Sequence, residues 1–187
     1  MDYKTIHKPV TGYFEDRKSR FYAFLVPFDL FRETLDRLRT QDHPKATHHV
    51  TAFRHMRGDN RIEEGAKDDG EPSGTSGMPV LKTLIGADLV DIGVIVVRYY
   101  GGTNLGGGGL ARAYSGAALQ AIEEARPVHW QRIVQTRIKA GFAQQSQLET
   151  RLSKNGLTVL DRSFTEHGVC LEIEGPEDLI RDLKKQD

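Results

Sequence analysis

Two segments of this chain carry residue types that can hold an ion. The first reads Arg98-Tyr99-Tyr100-Gly101-Gly102-Thr103-Asn104-Leu105-Gly106-Gly107-Gly108-Gly109-Leu110-Ala111-Arg112. Glycine lets a ligand approach the backbone, and amides at a helix start carry roughly half a positive charge. Arg98 and Arg112 flank the run with guanidinium forks that match phosphate or carboxylate. The chemistry read from this run is an anion site made of Arg98, Gly101, Gly102, Asn104, Gly106, Gly107, Gly108, Gly109 and Arg112; the alternative is that the glycines only let the chain turn and the alanine-rich helix pack tightly.

The second segment is Lys67-Asp68-Asp69-Gly70-Glu71-Pro72-Ser73-Gly74-Thr75-Ser76-Gly77-Met78-Pro79. Its carboxylates suit a hard cation such as Mg²⁺, although the ligand spacing of an EF-hand is absent. Gly74-Thr75-Ser76-Gly77 lacks the spacing of a nucleophile elbow. As a turn, the segment organises a loop: Asp69 and Glu71 orient it by pairing with an arginine, and Ser73 and Thr75 cap backbone amides before a helix at Pro79.

The established phosphate motifs do not fit. No Lys-Ser/Thr follows the last glycine, as a P-loop requires. Gly106-x-Gly108-x-x-Ala111 mimics the dinucleotide fingerprint, but the acidic residues Glu123 and Glu124 lie in the same helix rather than after a second strand. His48 and His49 are adjacent in a strand and face opposite ways, so they cannot chelate together. No metal site and no cofactor are expected. Cys170 is the only cysteine, which excludes an intrachain disulfide, and no cationic neighbour activates its thiol.

The elements that must position these residues follow from periodicity. Strands are expected over Val10–Phe14, Arg20–Val26, Ala46–His55 and Ile92–Tyr99, the last apolar on both faces. Asp29 is expected to cap a helix that ends near His43. Residues from Arg57 to Pro79 read as a long loop, followed by a short helix to Ile85. An alanine-rich helix is expected from Leu110 to Ala125, stopped by Pro127. A second pattern then starts: strand Ile133–Ala140, helix Gln144–Lys154, a hairpin around Glu166-His167-Gly168, and a helix after Pro176. This βαββα order makes the fold α+β, with a boundary giving domains 1–129 and 130–187.

Lys plus Arg number 26 and Asp plus Glu number 26, so the net charge is zero. That excludes nucleic-acid binding by bulk electrostatics and leaves room only for a local patch. The first sixty residues are basic on balance and residues 61–91 acidic. The N-terminus has no apolar signal region, and the most apolar run, residues 21–26, is too short for a bilayer. A cytoplasmic protein without membrane partners is expected.

The two long motifs, together with Lys18-Ser19-Arg20-Phe21 and Ala46-Thr47-His48, resemble those of the IMPACT/YigZ family, in its bacterial two-domain branch. Arg20 and His48 enter the candidate site through that resemblance. It implies an N-terminal α/β sandwich like domain 2 of a small-subunit ribosomal protein, followed by a small ferredoxin-like domain. That pairing is similar to the domains of elongation factor G that touch ribosomal RNA. Eukaryotic relatives regulate translation initiation through an additional interaction domain. Thr103-Asn104 stands where the family often has Ile-Lys, which removes a cation that would meet phosphate. Against that family pattern no closing strand is expected after Leu183, and an open sheet edge is expected in the second domain.

The resemblance points to a translation-associated regulatory protein whose partner is the ribosome, RNA or a translation-related protein. The alternatives are a Mg²⁺-dependent enzyme of phosphate-containing small molecules, with Asp69 and Glu71 as ligands, and a pure protein-interaction module.

Overall fold

The computed structural model describes residues 2–185, which fall into two compact units divided between Trp130 and Gln131. In the first, β1 (Lys4–Thr5) precedes a hairpin of β2 (Val10–Asp16) and β3 (Ser19–Pro27). Then come α1 (Phe28–Arg37), continued by a π-helical turn over Leu38–Asp42, and strands β4 (His48–Met56) and β5 (Ile62–Lys67). Helix α2 (Gly77–Gly86), strand β6 (Ile92–Tyr99), helix α3 (Gly106–Ala125) and strand β7 (Val128–His129) complete the unit. β1 pairs with β7, and the other five strands form one antiparallel sheet in the order β2-β3-β6-β4-β5.

Strand alternation decides which side chain meets which helix. On β3, Phe21, Ala23 and Leu25 face a core shared with Val80, Leu84, Leu110, Ala117 and Ala121 of α2 and α3. Val26 and the flanking Tyr22 and Phe24 face the other way, toward Phe31 and Leu35 of α1 and Leu38. β6 lies in the middle with helices on both faces, which is why its run from Ile92 to Val97 is apolar throughout. Alanines bring α3 close to the sheet. A Cβ at Gly12 would lie 2.4 Å from the Ala121 nitrogen, so β2 and α3 touch backbone to backbone.

Three local expectations change. β5 occupies part of the expected loop, because its polar, glycine-bearing sequence needs burial only along one edge of β4. Asp29 sits inside the first turn of α1 rather than at its cap, which is Pro27. Helix α3 begins at Gly106, four residues before Leu110, so the Gly106–Gly109 run is a helical turn and not a loop.

The second unit comprises β8 (Ile133–Ala140), α4 (Gln145–Lys154), β9 (Thr158–Thr165), β10 (Gly168–Pro176) and α5 (Glu177–Lys184), in the order βαββα. The sheet is antiparallel in the order β8-β10-β9. Leu148, Leu152, Ile180 and Leu183 of the helices meet Ile138, Leu171 and Ile173 of the strands. Gly156 ends α4 with φ +72°, a conformation that favours glycine. The protein is mixed α and β, and among its described residues no helix is long and apolar enough to cross a membrane.

Candidate functional site

One end of the five-stranded sheet gathers most of the residues singled out from sequence. The end of β6, the β2–β3 turn, the start of β4, the segment after β5 and the first turn of α3 all meet there. Arg98 does not face outward from it. Even-numbered residues of β6 point into the core beneath α3, so Arg98 is buried and only 5% exposed. A buried guanidinium needs a countercharge. Glu71 supplies it: Arg98 Nη1 donates to Glu71 Oε1 at 2.6 Å, and the Tyr114 hydroxyl donates to the same oxygen at 2.7 Å. His48 Nε2 stands 3.7 Å from it. The Arg98 carbon Cζ lies 5.3 Å from the centre of the Tyr100 ring and 5.5 Å from that of Phe21. Burial first, then the bond to Glu71, pushes the Tyr114 hydroxyl well above the ordinary tyrosine range, so it stays a donor. The expectation that Arg98 reaches an external anion is therefore corrected: it holds the loop from inside.

The acidic segment is a set of internal anchors. Asp69 accepts from Arg39 Nη2 at 2.7 Å and from the His49 amide at 2.6 Å, and its carbonyl meets His48 Nδ1 at 2.8 Å. The expected pairing of Asp69 and Glu71 with arginines is present. Their use as joint Mg²⁺ ligands is not supported, because each is turned onto its own donors. Among the described residues no group of His, Cys, Asp or Glu is arranged to hold a metal ion.

The cap is Asp68, not Ser73 or Thr75. Asp68 Oδ1 accepts from the amides of Ser76 and Gly77 and from the Ser76 hydroxyl, while Oδ2 accepts from the Gly74 amide at 2.8 Å. Burial pushes the Asp68 carboxyl up, but the hydrogen bonds from Gly74, Gly77 and Ser76 outweigh it and hold the group below its ordinary value. The Thr75 hydroxyl donates to the Pro72 carbonyl at 2.6 Å, and Ser73 is exposed. Asp68 lies nine residues before the helix it caps, so no local spacing signals it. Tyr114 was legible in principle, since it shares the inward stripe of α3 with Leu110 and Ala117, and a buried tyrosine needs a partner for its hydroxyl.

The glycines divide by cause. The Gly101 amide donates to Ser19 Oγ at 3.0 Å, and a Cβ there would lie 2.2 Å from the Lys18 carbonyl carbon. At Gly109 a Cβ would lie 2.9 Å from Leu105 Cβ. Gly102 and Gly106 have φ of +87° and +70°. Gly107 and Gly108 are different: both are helical, both exposed, and a Cβ would come no closer than 3.4 Å to any neighbour. Each costs the helix about 1 kcal/mol relative to alanine. No side chain caps this turn, and no acidic residue lies in it. Arg112 is exposed, and its guanidinium passes beside Gly108. Asn104 closes the rim, its carbonyl 3.5 Å from Arg17 Nη1 and its Oδ1 3.3 Å from the Tyr100 hydroxyl. Arg20 lies apart from this rim, over the Tyr99 ring on the opposite face of the sheet.

The first unit is thus an α+β domain whose sheet end carries a glycine-rich helix start beside an exposed arginine. Residues 17–122 match the model of the Impact N-terminal domain, and the chain belongs to the IMPACT family. IMPACT family member YigZ of Escherichia coli K12 is 41% identical over 119 residues, covering 62% of this chain and 58% of that protein. IMPACT family member YvyE of Bacillus subtilis 168 is 30% identical over 152 residues, covering 80% and 69%. The aligned part of the chain thus spans little more than half the length of YigZ. A crystal structure described as that of a hypothetical protein superposes with a TM-score of 0.71 at 29% identity, covering 100% of this chain and 91% of the other.

Proposed function

We propose that this protein is a translation-associated regulatory protein that binds RNA through phosphate contacts at the first turn of α3. The observation that carries the reading is Gly107 and Gly108, where glycine weakens the helix and no internal neighbour requires it. Missing side chains are explained when an external group must reach the amides. The helix start attracts negative charge, its first turn holds no acidic residue, and the cation of Arg112 lies beside Gly108. Association with translation is the part supplied by the family resemblance. The Mg²⁺-enzyme alternative is not favoured, since Asp69 and Glu71 are engaged by Arg39 and Arg98.

Filter binding of ribosomal subunits and of structured RNA in graded salt tests the reading. The wild type is compared with Gly107→Ala/Gly108→Ala and with Arg112→Ala. Several-fold weaker binding is expected for both variants, and a shallower salt slope for Arg112→Ala, which removes a cation. Equal affinity in all three proteins overturns the site. Partner capture that survives RNase would point to a protein-interaction module instead.

A further inference from the structure

The β2–β3 hairpin carries a second surface with a different chemistry. Helix α1 packs over β3, β4 and β6, and the outward side chains of β2, Thr11, Tyr13 and Glu15, remain exposed. Tyr13 and Tyr22 are register partners with ring centres 5.1 Å apart, and Tyr13 is 45% exposed. Tyr22 is backed by His43, stacked at 5.7 Å, and by Tyr99 at 6.1 Å. His43 Nδ1 meets the Tyr99 hydroxyl at 2.9 Å, which fixes the layer beneath. Two residues toward the hairpin tip, Arg20 pairs in register with Glu15 and lies 5.4 Å over the Tyr99 ring. Beyond it, Arg17 and Lys18 form the two-residue turn, both exposed, with φ of +46° and +66°. The carboxylates on the hairpin are Glu15, which accepts from the Tyr13 hydroxyl at 2.6 Å, and Asp16.

We propose that this hairpin face binds single-stranded RNA, with a base stacked on Tyr13 beside Tyr22 and the strand's phosphates over Arg20 and the Arg17–Lys18 turn. An exposed ring on a rigid sheet accepts any unpaired base, because every base has a π face. Flanking cations complete the match to a phosphodiester strand, whereas a paired duplex offers no base face for stacking. The inference rests on the RNA reading above but uses none of the residues of the α3 turn.

Fluorescence anisotropy with a labelled single-stranded oligoribonucleotide, and with the same strand in a duplex, provides the test. The full chain should bind the single strand several-fold more tightly. Tyr13→Leu should weaken that binding about fivefold or more, and Tyr13→Phe, which keeps the ring, should not. Arg17→Asn with Lys18→Gly installs a favourable turn sequence, so the fold is kept, and should flatten the salt slope. Equal affinity for single strand and duplex, or wild-type binding by Tyr13→Leu, overturns the proposal. Binding that depends on Arg112 and not on Tyr13 overturns it while leaving the α3 site standing. Dependence on Tyr13 without Arg112 does the reverse.

Discussion

Arg98 and Glu71 form a salt bridge of 2.6 Å in which both side chains are almost wholly buried. The pair ties the central strand β6 to the segment between β5 and α2, and Tyr114 adds a bond from α3. Removing one partner leaves a charge without compensation in the core. Arg98→Ala is expected to destabilise the protein by about 3–5 kcal/mol. Urea unfolding measures this, and a change below about 1 kcal/mol would contradict the buried pair. A binding defect in Arg98→Ala therefore says nothing about ligand contact.

Tyr114→Phe removes one donor from Glu71 and leaves the ring in its edge-on contact with Phe21, 5.0 Å between centres. The expected loss is about 1–3 kcal/mol, smaller than for Arg98→Ala because the arginine still neutralises the carboxylate. Thermal unfolding of the two variants side by side checks the order. If Tyr114→Phe were the more damaging, the carboxylate would depend on the hydroxyl rather than the guanidinium.

Much of this architecture was legible because periodicity is a local property. Ile92–Tyr99 reads as a two-faced strand from its own residues, and the alanines of α3 announce close packing. What failed depends on distant partners. The alternation of β6 puts Arg98 on the core side, and only the arrival of Glu71 from 27 residues away makes that tolerable. Composition also misled at Gly106–Gly109, where four glycines suggest a loop although the following alanine helix propagates back through them. Asp68 could not be distinguished from Asp69 by sequence, since its capping role exists only once the chain has curled around it.

Asp68 predicts a specific acid sensitivity. Its folded carboxyl lies below the ordinary value of 3.8. The stability it contributes is therefore fully present above that value and is lost as pH falls through the lower, folded one. Asp68→Asn should cost about 0.5–2 kcal/mol at neutral pH, the range for a lost helix cap. It should also show a shallower decline in stability than the wild type on acidification below about pH 4. Urea midpoints across that range provide the measurement, and parallel curves for the two proteins would exclude the role.

His49 should act in a higher window. Burial lowers its pKa from the usual 6.5, against a partly opposing effect of the Asp69 carboxylate. The unfolded chain then takes up the proton more readily, so stability is present above pH 6.5 and is lost as pH falls through the depressed folded value. NMR titration should place the His49 midpoint below the usual 6.5. A midpoint at or above 6.5 would contradict the burial argument.

Gly107 and Gly108 separate stability from binding more sharply than any arginine does. A residue kept for folding should weaken the fold when replaced, whereas these two sit in helical conformation with room for a methyl group. Alanine loses less backbone entropy on folding, so Gly107→Ala/Gly108→Ala should raise stability by about 1–2 kcal/mol. The same methyl groups would stand between an incoming phosphate and the amides of the first turn, and RNA affinity should fall. Gly101→Ala serves as the contrast, because its Cβ would collide with the Lys18 backbone at 2.2 Å and should destabilise the protein outright. Thermal melts and RNA titrations on the same preparations decide the matter. A more stable variant that binds RNA less well places the glycines in the service of a ligand. A less stable variant with unaltered affinity would return them to the architecture and remove the strongest support for the site.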